Sequence, residues 1–358
     1  MTAPSKPATA SHAPTTRANL YRVAIVGAAA LKGKELAELL NERNFPAVDV
    51  RLLDDDESLG QLEAMGDEIT FIQSLRSEQF ENVDFTFFAS DPECTRKNWK
   101  TARDGGSVIV DLSFALEDEP GATVRSLWVE RDRGRVLTPE LQPGPCVTAH
   151  TAAVVLALLM LRVQRAGPVR RVVATVFEPA SEHGQKGMDE LHQQTVSLLS
   201  FQQLPKDVFD AQVAFNMIAR YGRKSQPALE TVEDRILRHY QEIAGADAPQ
   251  PALLLLQAPI FHGHAFAIFV EMECPVDLAA LSQALAGDHV TVTTSEEDSP
   301  SNVNAAGQGD ILVSLGNDGN NKNGVWLWAA ADNLRIAAVT ALECAESMAT
   351  ARPVGKIQ

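Results

Sequence analysis

The 358-residue chain has no apolar run near the roughly 18 residues that a membrane-crossing helix needs. Its longest apolar stretch, Ala152 to Leu161, is the length of a buried core helix. Cysteine is sparse and scattered. Cys94, Cys146, Cys274 and Cys344 show none of the paired spacings of zinc sites or redox motifs, and a reducing, cytoplasmic setting is the simplest reading. Positive charge is also scarce: 31 Lys and Arg against 47 Asp and Glu leave a net charge of −16. Repulsion then excludes a phosphate-backbone partner, so neither nucleic acid nor a membrane is expected. There is no internal repeat. The first twenty residues, MTAPSKPATASHAPTTRANL, lack the continuous apolar core of a secretory signal, and residues 1–20 are expected to be a disordered tail.

The composition, 45% hydrophobic and 22% charged, is that of a globular protein, and the length suggests two domains. Regular structure begins at YRVAIVG, Tyr21 to Gly27. Leu31, Leu36, Leu39 and Leu40 then recur at helical spacing. AVDVRLLD, VDFTFFAS (83–90) and GSVIVDLS (106–113) are further strands, and the alternation predicts a mostly parallel sheet covered by helices. Past residue 150 the rhythm changes. A long helix over about 150–165 leads to a strand at RRVVATVFEPAS and a helix over about 184–200. ALETVEDRILRHYQEI is amphipathic. Strands at ALLLLQAPIFHG, HAFAIFVEME, GDILVSLG and GVWLWAA precede a last helix, ADNLRIAAVTALECAESMA. This half reads as a second, antiparallel-rich domain of helices and strands.

VAIVGAAALKGKEL is strand, glycine turn and helix, the arrangement that brings backbone N–H groups and a helix N-terminus against a pyrophosphate. The candidate cofactor contacts are Gly27, Ala30, Leu31 and Gly33. The Ala30 methyl stands where the backbone must approach the ligand, so weakened or absent binding is expected. A purely structural turn is the alternative. At the end of the second strand, Asp54, Asp55 and Asp56 can accept from a ribose 2′-hydroxyl and repel a 2′-phosphate, favouring NAD over NADP. A solvated acidic loop would need no ligand at all.

Five segments in order, VAIVGAAALKG, VIVDLSFALED, RVVATVFEPASEHGQKGMDEL, APIFHGH and ADNLRIAAVTALECAE, resemble the landmarks of the aspartate-semialdehyde dehydrogenase family over nearly all of the chain after the tail. The resemblance implies an α/β protein. Residues 21–148 would be a Rossmann-type dinucleotide-binding domain, and 149–330 an α+β domain for catalysis and dimerisation. Residues 331–350 would be a C-terminal helix returning to the first domain. It implies NAD(P)-dependent reduction of an aspartyl phosphate through a cysteine thioester, with a histidine as acid and base. A homodimer follows from it as well, and Trp326 and Trp328 on one strand face are compatible with a sheet-mediated interface.

The same resemblance exposes what this chain lacks. Ungapped, the family's nucleophilic cysteine falls on Thr151, or on His150 with a one-residue slip, and its catalytic glutamine on Glu178. Threonine cannot carry a thioester through a hydride step. Cys146, in CVT and five residues ahead of Thr151, is the rival nucleophile. His264 stands in the catalytic histidine's place. The family's substrate arginine is replaced by Gln257 and a glutamate by Phe266. Ser314 and Gly316 stand where basic residues are expected, and the phosphate-binding lysine has no nearer counterpart than Lys224. These losses together imply a non-catalytic paralogue with a binding or regulatory role. The alternatives are an active oxidoreductase using Cys146 and His264, or an acid–base or metal cluster of His150, Glu178, His183 and His264. No metal-ligand spacing stands out, and no metal is expected.

Overall fold

The structure, a computed structural model, describes residues 21–55, 60, 62–65, 68–138, 143–294 and 299–350. The expected tail, residues 1–20, and Asp56 lie outside the described residues. The first domain is strand–helix alternation: β1 (Tyr21–Val26), α1 (Leu31–Glu42), β2 (Ala47–Asp54), a hairpin of β3 (Leu62–Met65) and β4 (Glu68–Phe71), β5 (Gln73–Ser74), β6 (Phe85–Phe88), α2 (Pro92–Asp104), β7 (Val108–Asp111), β8 (Thr123–Arg125), α3 (Leu127–Asp132) and β9 (Cys146–Thr148). Its sheet runs β5-β2-β1-β6-β7-β9-β8, and every neighbouring pair is parallel. Helices cover both faces of such a sheet, so β6 and β7 are buried along their whole length instead of alternating.

The second domain begins with α4 (Thr151–Ala166), continues through β10 (Val169–Glu178), a short 3-10 turn (Ala180–His183), α5 (Gly184–Leu199) and α6 (Leu229–Ala244), and then β11 (Pro251–Gln257) and β12 (His264–Met272). It closes with α7 (Leu278–Leu285), β13 (Val290–Val292), α8 (Asn302–Ala305), β14 (Ile311–Asn317), β15 (Gly324–Ala331) and α9 (Asn333–Ala349). The sheet order is β11-β10-β12-β15-β14-β13, with parallel pairs at the two edges and antiparallel pairs between. α4 is apolar all round and almost wholly buried, as a helix enclosed on every side must be.

Residues 200–228 contain no helix or strand, and part of their backbone is satisfied by two buried side chains of α5. Gln194 donates to the carbonyls of Pro205 and Ala211 and accepts from the N–H groups of Val213 and Ala214, while Glu190 accepts from Val208 and Phe209. α9 leaves β15 and packs on α1. Arg335 pairs with Glu35 at 2.8 Å and also with Glu42, Arg43 pairs with Glu343 at 3.1 Å, and the Tyr21 hydroxyl donates to the Ala349 carbonyl. That crossing brings the starts of α1, α4 and α9 together with the ends of β10 and β15 and the start of β12.

Candidate functional site

The glycine turn is shaped by close backbone packing. Gly27 has φ +82°, and a Cβ there would lie 2.4 Å from the Ser90 nitrogen. A Cβ on Gly33 would lie 2.1 Å from the Gly27 carbonyl oxygen, so the first turn of α1 can sit on β1 only with glycine there. Ala30 caps α1 with no side-chain bond, leaving the first N–H groups of the helix, from Leu31 on, without side-chain acceptors. Asp54 holds the turn: one carboxylate oxygen accepts from the Ala29 N–H at 2.7 Å and the other from Asp55 at 2.9 Å. Asp55 is exposed.

His150 and Thr151 open α4 at the domain junction, and both are buried. The His150 ring caps the helix, its Nδ1 accepting from the Ala152 N–H at 3.2 Å. The Thr151 hydroxyl donates to the Asn333 carbonyl at 2.9 Å, fastening α4 to α9. His264 begins β12, completely buried, with its ring 5.8 Å from that of His150 and 5.8 Å from Phe266. Neither ring nitrogen has a hydrogen-bond partner among the described residues. Burial pulls its pKa down to about 4, against the field of Glu182, and holds His150 well below the ordinary imidazole value. Glu178 ends β10 one step beyond the Phe177–Ala265 pair, which sets it directly across from His264. It too is buried, with one carboxyl oxygen unpartnered, and burial, reinforced by Glu182, raises its pKa well above the carboxylate range. Burial thus favours the neutral form of both His264 and Glu178.

Gln257 is buried and its amide is fully engaged. The nitrogen donates to the carbonyls of Glu178 and Ala258, and the oxygen accepts from the Tyr221 hydroxyl at 2.7 Å. Since that hydroxyl has one proton, His183 must donate its Nε2 proton to Tyr221, 2.9 Å away. Burial keeps His183 neutral, with a pKa of about 4. His262 does face a carboxylate, its Nε2 lying 2.9 Å from Asp332; burial opposes its charge, yet that bond raises its pKa.

Cys146 lies at the start of β9, buried in the core, one strand length away from the entrance of α4. The thiol of Cys344 on α9 is held well above its ordinary pKa by Cys146 and by burial. Lys224 lines an open surface cavity with His192 and Asp210. Ser314 and Gly316 lie on β14 opposite Trp328 and Trp326 of β15. Among the described residues, no group of three or more His, Cys, Asp or Glu side chains is arranged to hold a metal ion.

Several residues of the site carry no signal at the level of motifs. Lys32 leaves the glycine turn to lie 3.6 Å from Glu182 and 4.7 Å from the centre of the Phe114 ring. Burial opposes ionisation of Glu182, but Lys32, with help from an Asn333 N–H bond of 2.9 Å, holds its carboxyl well below the usual range. Asn333 also accepts from the Gly263 N–H, joining four segments. On the other side of Phe114, Glu117 receives Arg235, Arg238 and His239 of α6. Lys32 and Asn333 lie inside segments that identify the fold, LKG and DNLR, but their partners are set by a domain junction between residues far apart in sequence.

Models of the semialdehyde dehydrogenase NAD-binding domain and of the semialdehyde dehydrogenase dimerisation domain match residues 22–132 and 159–336. The chain is similar to the USG-1 protein homolog of Pseudomonas aeruginosa, with 32% identity over 316 residues that cover 87% of this chain and 93% of that protein. It is 27% identical to the aspartate-semialdehyde dehydrogenase of Rickettsia bellii over 337 residues, 92% of this chain and 97% of the relative. The solved structure of a probable aspartate-semialdehyde dehydrogenase from Pseudomonas aeruginosa matches with a TM-score of 0.83 and 29% identity, over 92% of this chain and 99% of that one.

Proposed function

The chain belongs to the semialdehyde dehydrogenase family, and from that premise we propose that it is a non-catalytic member, with a binding or regulatory role in place of reductive dephosphorylation of aspartyl phosphate. The observation that carries this reading is the state of the α4 entrance. Thr151 holds the place of the thiol, and its proton is given to the Asn333 carbonyl, with no base to take it. Burial favours the neutral form of His264, whose ring nitrogens have no partner among the described residues, and Gln257 has no free N–H to offer a substrate carboxylate. Acyl transfer through a thioester needs a thiolate, a proton-transfer group and cations for a dianionic substrate.

A nucleotide fits the first domain. The Gly27–Leu31 turn and the open first N–H groups of α1 would hold a pyrophosphate, and a bound nicotinamide would supply or accept hydride. Asp54 supports NAD over NADP, while its bonds to the Ala29 and Asp55 N–H groups and the methyl of Ala30 support weak binding. Free thiols at Cys94, Cys146, Cys274 and Cys344 fit a reducing cytoplasm. A homodimer is supported by the uncovered apolar face of the second sheet, where Val173, Leu254, Trp326 and Trp328 are exposed.

The test is an absorbance assay of the purified protein with aspartate semialdehyde, phosphate and either NAD or NADP, beside calorimetric titration of each nucleotide. No turnover, with weak binding of NAD in preference to NADP, is the expected result; sustained turnover overturns the reading. The rival, Cys146 working with His264, draws its support from the CVT segment just ahead of α4. It requires that iodoacetamide modify Cys146 selectively and that Cys146→Ser abolish any turnover found.

A further inference from the structure

At the domain junction, two arginines and a histidine of α6 converge on one of the chain's own carboxylates. Glu117 lies in the loop that follows β7, and its side chain is half-buried. Arg235 grips it through two nitrogens: Nε lies 2.9 Å from one oxygen and 3.2 Å from the other, and a terminal nitrogen lies 3.1 Å from the latter. Arg238 reaches that second oxygen at 2.8 Å, and His239 Nε2 reaches the first at 3.0 Å. All three donors stand on α6, spaced so that one face of the helix presents them together. The acceptor comes from the other domain. His239 is fully buried, and its Nδ1 accepts from the His150 N–H at 3.0 Å, so its remaining proton points at Glu117.

Two guanidinium groups and an imidazole N–H converging on two oxygens form a recognition site for an oxyanion, since the fork geometry of arginine matches carboxylate and phosphate alike. The site is continuous with the His150–His264 region. Arg235 lies 5.1 Å from the centre of the Phe114 ring, and His150 stacks on the same ring. Phe114 itself is held in the left-handed region, φ +62°, by the turn that delivers Glu117. Arg238 has a second partner, Asp118, at the exposed rim, so the site carries two arginine charges against two carboxylates. Loss of Glu117 leaves one positive charge uncompensated and three buried or half-buried donors facing each other.

We propose that Arg235, Arg238 and His239 form an oxyanion site that the resting chain fills with its own Glu117, and that it takes a small phosphate or carboxylate when that side chain is displaced. A tethered carboxylate competes at an effective concentration far above that of free anions. These two arginines are thereby closed to a ligand's oxyanion, as Lys32 is held by Glu182. This rests on the reading of the junction as a site that no longer handles an anionic substrate, and supplies a physical cause for it.

Chemical rescue tests the proposal. In Glu117→Ala, inorganic phosphate should raise the melting temperature saturably in the millimolar range, by at least about 2 °C at saturation. Chloride at matched ionic strength should not, and the full-length wild type should show no saturable response. The double variant Glu117→Ala with Arg235→Met should lose the rescue. Glu117→Gln keeps the bulk and removes the charge, so it should respond to phosphate more weakly in the same saturable way. It also reports if Glu117→Ala does not fold. A phosphate response identical in wild type, single and double variants, or none in either Glu117 variant, overturns the proposal. Turnover by the wild type would remove the non-catalytic reading but leave the rescue result standing, so the two failures are separable.

Discussion

His264 shows what burial without a partner does to a residue. An imidazole sealed among His150, Phe266 and the β12–β15 ladder can stay folded only while neutral. Its pKa of about 4 lies below the ordinary 6.5, so its contribution to stability is complete above pH 6.5 and is lost as pH falls through about 4. The difference corresponds to roughly 3 kcal/mol. His183, also near 4, adds to the same acid-side loss, and His262, whose pKa is raised, opposes it. We therefore expect thermal stability to fall from pH 6.5 toward pH 4 and His264→Gln to flatten that slope in pH-scanned melting curves. Glu178 has the opposite sign. Its raised pKa means that stability erodes as pH climbs above the ordinary 4.5. Glu178→Gln should then be stabilising at neutral pH, with the gain vanishing in acid. Denaturant melts of Glu178→Gln at pH 4 and pH 7 would falsify this if the gain did not depend on pH. Glu117, held at about 2 by His239 and Arg235 against the effect of burial, delivers its stabilisation above pH 4.5 and loses it only in strong acid.

Elements explain why the starts of helices carry so much of this site. α1, α4 and α9 each begin at the domain junction, and each start is tied down by a different device: close backbone packing at Gly33, the His150 cap, and Asp332 accepting from Leu334 and Arg335. Gly33→Ala would drive a methyl into the Gly27 carbonyl, which is backbone and cannot swing aside. We expect that variant to melt several degrees lower and to lose whatever nucleotide affinity the wild type has, read by the same calorimetric titration. The sequence pattern located all three helices, because apolar residues at helical spacing mark a buried face whatever lies opposite. It did not reveal how residues 200–228 are held, since the two side chains that satisfy part of their backbone, Glu190 and Gln194, look like ordinary polar positions on α5.

At the scale of the whole molecule, the second sheet has one face covered by helices and one left bare. Val173, Leu254, Trp326 and Trp328 line up across β10, β11 and β15 on the bare side. An apolar sheet face of this kind is ordinarily covered by a partner. Sedimentation should give a dimer for the wild type, and the double variant Trp326→Glu with Trp328→Glu should shift it toward monomer with little change in the far-ultraviolet spectrum. A monomeric wild type would remove the dimer from the account. No helix among the described residues is long and apolar enough to cross a membrane.

Local pattern carried the longer strands, the helices α1, α4, α5, α6 and α9, the glycine turn and their family order, because period, turn chemistry and close backbone packing act between residues near in sequence; the short β3, β4, β5, β8, β9 and β13 and α2, α3, α7 and α8 it left unmarked. Trp326 and Trp328 could likewise be placed on one face from strand alternation alone. What Thr151, Glu178, Gln257 and Glu117 do was decided only by the fold. Each meets another segment or domain: Asn333 bonds Thr151, Tyr221 bonds Gln257, α6 grips Glu117, and Glu178 lies across from His264 without a bond between them. Residue identity can say that a thiol is missing. Whether the polar group in its place is charged, paired or sealed depends on the water excluded and the dipoles assembled when the two domains and α9 close over the junction.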